Sequence, residues 1–171
     1  MAVKGRLWGC KYGPDVGFAD GAIMANATNY AMAALNAGYS ARFMATQTQD
    51  IYSVKLRWGT VTAAGQITIR IETDSSGKPS GSLYDANAVM TAQTPVQNTN
   101  TTYTFATPPS TGLTVGNIYH IVILTTTGGT TMNLRIMTAI AGSAEYPING
   151  LTAADGTTRT NFAEVTNSLP M

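Results

Sequence analysis

Two alternating runs within residues 51–83 constrain the fold more strongly than any other part of the chain. In 52–58, and again in 67–72, apolar side chains occupy every second position and polar ones lie between them. This period of two is the pattern of half-buried antiparallel strands, because successive side chains of a strand point to opposite faces. We therefore predict that the two runs form a central hairpin that anchors one sheet, with Trp58 buried against a second apolar surface.

Further short strands are predicted on both sides of this hairpin. Segment 113–126 contains a long apolar run and should be buried on both faces, and Gly128 and Gly129 predict a hairpin turn leading to 131–138. A cluster of turn-forming residues makes 73–81 a surface loop. Short strands separated by Gly, Pro, Asn and Thr turns, without a long periodic helix, indicate an all-β sandwich. The remaining predicted strands are 39–46 with Ala41 and Phe43 inward, 101–106 with Tyr103 and Phe105 inward, and a short strand near 161–165.

The first 38 residues do not share this pattern. Segment 1–21 is rich in glycine and its large side chains follow no period, so we expect an extended arm. Exposed aromatic side chains at this density form an association surface, so the arm either lies over its own core or inserts into a neighbouring molecule. Segment 22–37 is rich in alanine and could be helical, but its Asn and Thr residues favour irregular or extended structure with at most a short helical turn. We therefore divide the chain into an N-terminal arm and irregular segment, 1–38, and a β-sandwich domain, 39–171. The expected partner contacts of the arm are Trp8, Tyr12 and Phe18.

The low charge of the chain argues against several functions. Only 11% of the 171 residues are charged, against about 25% in average soluble domains. Ten basic and nine acidic residues leave a net charge of +1 with no basic stripe along the sequence, so we expect no nucleic-acid partner and no membrane binding. Cys10 is the single cysteine, which excludes an intrachain disulfide and a multi-cysteine metal site. We find no signal peptide and no apolar run long enough to span a membrane.

Residues that could support catalysis are few. His120 is the single histidine, and it lies in the most apolar predicted strand without an acidic residue at a recognisable spacing, so we expect a hydrogen-bonded core or interface residue. The sequence lacks the GxSxG, HExxH and glycine-rich phosphate-binding motifs. Asp74 could contribute to a calcium site, but a hydrogen bond within its own turn is expected instead. We therefore predict a protein without enzymatic activity, with no catalytic residues, no metal site and no cofactor. A glycan-binding site is an alternative, and its predicted loop contacts are Asp74, Lys78 and an exposed Tyr84.

Three stretches of the sequence carry a family resemblance: VKLRW, QITIRIETDSSGKPSGSLYD and TYTFATPPSTGLTVGNIYHIVI. Together they resemble the jelly-roll β-sandwich modules of phage virion proteins and of some bacterial surface proteins. In those modules a loop similar to TDSSGKPSG follows an alternating strand, and a segment similar to LTVGNIYHIVI leads into a buried one. The resemblance covers about 39–138. Two features depart from the family pattern. His120 lies at a position where those modules often have a bulky aromatic residue, and the N-terminal arm is long.

The resemblance implies an antiparallel, jelly-roll-like β-sandwich with no catalytic residues. Together with the arm predicted from residues 1–21, the expected fold is a jelly-roll-like β-sandwich with an extended N-terminal arm. We accordingly expect a structural protein of a phage virion, a capsid decoration or accessory protein assembled in the host cytoplasm. It should form a homo-oligomer, with a trimer as the expected state, and should contact other virion proteins such as the major capsid protein through its arm. The alternative is a receptor- or glycan-binding module at a phage tail or fibre tip.

Overall fold

The structure is a computed structural model that describes residues 27–45, 48, 51–62, 65–129, 131–138, 150–164 and 167–168. The arm 1–21, with Trp8, Cys10, Tyr12 and Phe18, lies outside the described residues. Within the described ranges the chain forms twelve strands and one short 3-10 helix. They are β1 (Ala27–Met32), β2 (Gly38–Met44), β3 (Ser53–Val61), β4 (Ile67–Ser75), β5 (Lys78–Leu83), β6 (Val89–Gln93), β7 (Asn100–Thr104), β8 (Ile118–Thr125), β9 (Met132–Thr138), β10 (Gly150–Ala153), η1 (Arg159–Asn161), β11 (Ala163–Glu164) and β12 (Asn167–Ser168).

The strands form two antiparallel sheets, and their pairing is nested. β1 pairs with β9, β2 with β8, β3 with β7 and β4 with β6, so the partners lie symmetrically on either side of β5. β9 also pairs with β3, which gives a first sheet with the strand order β1-β9-β3-β7. β8 also pairs with β4, which gives a second sheet with the strand order β11-β10-β2-β8-β4-β5. Nested antiparallel pairs distributed over two packed sheets are the strand order of a jelly roll. The predicted fold class, an all-β jelly-roll-like sandwich, is confirmed.

The two central strands do not pair with each other as predicted from the sequence. β3 lies between β7 and β9 in the first sheet, whereas β4 lies beside β8 in the second. The hairpin predicted at Gly128 and Gly129 is wrong for the same reason, because β8 and β9 belong to different sheets. Alternation of apolar and polar residues shows only that one face of a strand is buried. The same pattern arises whether the next strand pairs with it in a hairpin or lies in the facing sheet.

Residues 73–81 were predicted to be a surface loop, but they form a tight hairpin. β4 runs to Ser75 and β5 begins at Lys78, which leaves only Ser76 and Gly77 in the turn. Both have positive φ, 54° and 82°, as a two-residue turn that matches the twist of its strands requires. The turn-forming residues thus located the reversal correctly, but most of them belong to strands.

Segment 22–37 is extended or irregular where the structure describes it, as predicted. β1 pairs with β9 along its whole length. The chain then turns, with the Ala37 N–H bonded to the Ala34 carbonyl at 3.1 Å and Asn36 at φ 62°. An Asn at this position suits the turn, because Asn tolerates positive φ better than most residues.

The two sheets enclose a common apolar core. Trp58 is 0% exposed, and its indole N–H donates to the Tyr103 hydroxyl at 2.7 Å, which confirms its predicted burial. Across the core, Ile67, Ile69 and Ile71 of β4 are also fully buried. Each such side chain contributes about 1.5–3 kcal/mol of transfer free energy. The other residues predicted to point inward, Ala41, Phe43, Tyr103 and Phe105, are buried as well.

Residues 150–164 form a strap whose ends, β10 and β11, extend the edge of the second sheet, while the segment between them packs on the outer face of that sheet. β10 pairs with β2, and the chain then crosses the sheet through η1 before β11, the short strand predicted near the end, pairs with β10. Phe162 is fully buried in a separate apolar cluster with Val122 of β8. A Cβ at Gly38 would lie only 2.7 Å from the Phe162 ring and 3.1 Å from the Gly156 backbone. The strap can therefore approach the sheet this closely only because Gly38 has no side chain.

Candidate functional site

Three neighbouring strands align a serine, a histidine and an aspartate on the outer face of the second sheet. His120 of β8 lies directly opposite Arg42 on β2 and Glu72 on β4. Ser40 and Asp74, each two residues away from those positions, therefore reach the imidazole ring from its two ends. The Ser40 hydroxyl lies 3.0 Å from Nδ1, and the Asp74 carboxylate lies 2.7 Å from Nε2.

The surroundings of His120 favour the neutral ring. The residue is 0% exposed, and this burial lowers the pKa of His120 below its usual 6.5, although the hydrogen bond that the ring donates to Asp74 acts in the opposite direction. In the neutral tautomer that satisfies both neighbours, Nε2–H donates to the Asp74 carboxylate and Nδ1 accepts from the Ser40 hydroxyl. The row is thus a continuous hydrogen-bond chain across β2, β8 and β4.

This row has the residue types of a hydrolase triad but not its geometry. In such triads the carboxylate orients the histidine at Nδ1 and the serine lies at Nε2, whereas here the two neighbours are exchanged. Ser40 and His120 are both 0% exposed, so a substrate cannot reach the Ser40 hydroxyl while the fold is intact. The arrangement holds three strands in register.

A second polar cluster centres on Glu72, beside His120 in the sheet. Its carboxylate is fully buried and accepts hydrogen bonds from Arg70 Nε at 2.5 Å, Arg159 Nη2 at 2.6 Å, Arg159 Nε at 2.8 Å and the Gly81 N–H at 2.9 Å. Burial alone would raise the pKa of Glu72, but the two guanidinium groups outweigh it and hold the pKa below its usual 4.5. The carboxylate is therefore ionised at neutral pH.

Arg159 belongs to the strap, so the Glu72 cluster fastens the strap to the sheet. The guanidinium also donates to the Gly156 carbonyl within the strap. Nearby, Lys78 of β5 donates to the Thr160 carbonyl at 2.8 Å. Lys78, predicted as a possible glycan contact, thus makes a contact with the strap.

The other two predicted loop contacts, Asp74 and Tyr84, also have partners inside the fold. One Asp74 oxygen accepts the Gly77 N–H at 3.0 Å, as predicted for its own turn, and the other bonds His120. Tyr84 was expected to be exposed, and this is wrong: the residue is half-buried with a buried hydroxyl, and its ring meets Tyr119 edge-on at 5.7 Å. The aromatic ring of Tyr84 packs against the apolar core of the sandwich.

Sequence reasoning missed Ser40, Glu72 and Arg159 as members of these clusters. Ser40 and Asp74 are 80 and 46 residues from His120 in the sequence, and Arg159 is 87 residues from Glu72. The available signal was indirect: a histidine buried in a strand needs polar partners, and adjacent strands are where they must lie.

Two further observations concern the described residues as a whole. They contain no group of three or more His, Cys, Asp or Glu side chains placed to hold a metal ion. No helix within the described ranges has the length and apolar character needed to cross a membrane.

In comparisons with known proteins, no family model, curated protein or solved structure matches the chain.

Proposed function

We propose that this protein is a non-enzymatic structural component of a phage virion. In this role it is a capsid decoration or accessory protein that self-associates as a trimer and contacts neighbouring capsid subunits through the arm 1–21. The major capsid protein is its expected partner, and the virion, assembled in the host cytoplasm, is its location. The observation that carries the proposal is the jelly-roll strand order.

The jelly-roll order supports the proposal because the stretches that resemble virion modules lie on the strands that define it. VKLRW lies in β3, QITIRIETDSSGKPSGSLYD covers β4 and β5, and TYTFATPPSTGLTVGNIYHIVI covers most of β7 and β8. These strands supply the pairs β3–β7 and β4–β8. The stretches that carry the resemblance therefore contribute strands to the jelly-roll order.

The use of polar side chains supports a non-enzymatic role. Ser40, Glu72 and His120 are fully buried, and their hydrogen bonds hold strands and strap together. The low charge of the chain also suits close packing of many copies, because it limits repulsion between them.

Removing the arm tests the proposal. We expect a variant lacking residues 1–20, and the variant Trp8→Ala/Tyr12→Ala/Phe18→Ala, to stop co-sedimenting with capsids while keeping the melting temperature of the full chain. The matched control is Leu35→Ser/Val96→Ser, which changes apolar residues that are 56% and 50% exposed on the sandwich. This control should still bind.

Two results would contradict the proposal. Unchanged incorporation of the arm variants into particles would show that the arm is not the anchor. Absence of the full chain from purified virions of its phage would rule out the structural role altogether. Sedimentation equilibrium of the same preparations measures the trimer directly.

A further inference from the structure

The outer face of the first sheet carries a row of arginine and asparagine side chains that takes no part in the clusters of the second sheet. Asn29 on β1 lies opposite Arg135 on β9, and Arg57 on β3 lies opposite Asn100 on β7. β3 and β9 are antiparallel with Trp58 opposite Leu134, so continuing this register by one residue brings Arg57 opposite Arg135. The row across β1, β9, β3 and β7 is therefore Asn29, Arg135, Arg57 and Asn100. With two neighbours they form what we call the cationic face: Asn29, Lys55, Arg57, Asn100, Asn133 and Arg135.

The positive charge of this face is not neutralised by the described part of the chain. The side chains of Lys55 and Arg57 form no hydrogen bond or ion pair with another described residue. Like charges directly opposite each other on neighbouring strands destabilise a sheet, so a bound anion would relieve the repulsion between Arg57 and Arg135. The acidic residues within the described ranges lie in the second sheet, the strap or the β5–β6 connection: Glu72, Asp74, Asp85, Asp155 and Glu164.

A glycine helps to shape the cationic face. A Cβ at Gly59 would lie 2.8 Å from the Asn29 side-chain oxygen and 3.2 Å from Arg135 Cδ. Because Gly59 leaves this space free, Arg135 can lie along the sheet and donate to Asn29 at 3.1 Å. The guanidinium is thus partly ordered before any ligand arrives, which reduces the cost of ordering it on binding.

We propose that the cationic face binds a polysaccharide that carries carboxylate groups. The planar fork of an arginine matches a carboxylate with two parallel hydrogen bonds. Lys55 and Arg57 lie two residues apart on one strand, about 7 Å along it, so an extended chain following β3 would meet two cations in succession. The amide of Asn133, which is partly exposed, provides donors and an acceptor for sugar hydroxyl groups.

The composition of the face disfavours other partners. Its outward positions with described side chains contain no aromatic ring and no large apolar residue. Aromatic and apolar anchors dominate the binding energy of protein interfaces, and stacked aromatic rings support binding of single-stranded nucleic acid. Affinity for a phosphate backbone also grows with the number of neutralised phosphates, and this face offers only three cations. The proposed site does not depend on the virion role.

Binding of polygalacturonate to the full chain, measured by isothermal titration calorimetry at low and physiological salt, tests this site. We expect saturable binding that weakens as salt is added, because Lys55 is exposed, Arg57 and Arg135 are partly exposed, and dissolved ions screen such charges. The variant Arg57→Gln should lose affinity about tenfold, as expected for one charge-assisted hydrogen-bonding group, and Arg57→Gln/Arg135→Gln should lose more. The matched control Lys78→Gln removes one positive charge next to the strap and should bind as the wild type does. Circular dichroism melts verify that each variant is folded.

Specific results would overturn the site. Equal binding of fully methyl-esterified polygalacturonate would show that carboxylates are not recognised. Loss of binding in Lys78→Gln but not in Arg57→Gln would move the site to the loop residues of the second sheet. Tighter binding of a DNA duplex, or salt-dependent self-association abolished by Arg57→Gln, would identify nucleic acid or a second copy as the partner of this face.

Discussion

Replacing Arg159 tests whether the strap is held by its charge. Glu72 is 0% exposed and would lose the two Arg159 contacts at 2.6 and 2.8 Å, while keeping those from Arg70 and Gly81. Breaking a buried ion pair by removing one partner costs about 3–5 kcal/mol. Because Glu72 keeps two of its contacts, we expect the effect of Arg159→Met to lie at the lower end of this range. The variant should reduce the free energy of unfolding by about 3 kcal/mol. For a chain of this length that loss lowers the melting temperature by about 6–12 °C.

Thermal denaturation monitored by circular dichroism measures the effect, and hydrogen exchange locates it. Amides of 150–164 should exchange faster in Arg159→Met, with a smaller change in β3. The control Arg135→Met removes an arginine from the outer face of the other sheet and should change stability by no more than about 0.5 kcal/mol. The double variant Glu72→Gln/Arg159→Met should be more stable than the sum of the single effects predicts, by about 1–3 kcal/mol.

Two outcomes would refute this reasoning. An unchanged melting temperature for Arg159→Met would show that the ion pair does not hold the strap. Strict additivity of the Glu72 and Arg159 substitutions would show that the two side chains stabilise the fold independently of each other.

Two further predictions concern the core and the buried histidine. Trp58→Ala should lower the free energy of unfolding by about 3–5 kcal/mol. Trp58→Phe should lower it by less, because this change removes mainly the hydrogen bond to Tyr103. Denaturant titration measures both effects, and an unfolding midpoint of Trp58→Ala equal to that of the wild type would contradict the inward orientation of Trp58. Acid should destabilise the fold, because His120 has a folded pKa below its usual 6.5 and the unfolded chain therefore takes up a proton that the folded chain does not. Its stabilising contribution is complete above about pH 6.5 and is lost as the pH falls toward the folded pKa, while Glu72 adds a further loss below its usual 4.5. Urea midpoints of His120→Gln should fall less steeply between about pH 7 and pH 5 than those of the wild type, and an equal slope would contradict the assignment.

The fold class follows from the sequence, because the pattern of alternation is a local property. Strands at 39–46, 52–58, 67–72 and 101–106 were identified from apolar residues at every second position, and the apolar side chains assigned to their inward faces are buried, apart from the half-buried Tyr52. Strand partners are not local. Alternation in 52–58 is equally compatible with a hairpin and with a place in the opposite sheet, and only the complete nesting distinguishes the two.

The polar clusters could not be predicted for the same reason. His120 was correctly expected to be a hydrogen-bonded residue of a buried strand, but its partners come from β2 and β4, which become its neighbours only in the folded sheet. The cationic face is a comparable case. No basic stripe exists along the sequence, and Arg57 and Arg135 become adjacent only because β9 returns to lie beside β3.

The two outer faces of the sandwich use their charged groups in opposite ways. On the second sheet, Glu72 and Asp74 are bonded within the fold, and the strap covers part of the surface. On the first sheet the cations point outward without acidic neighbours among the described residues. A partner that recognises charge is therefore expected on the first sheet, while the proposed capsid contact is made by the arm. If both proposals hold, the two activities separate: the variant lacking 1–20 should still bind polygalacturonate, and Arg57→Gln should still bind capsids. Loss of both activities in either variant would mean that the arm and the cationic face form one surface.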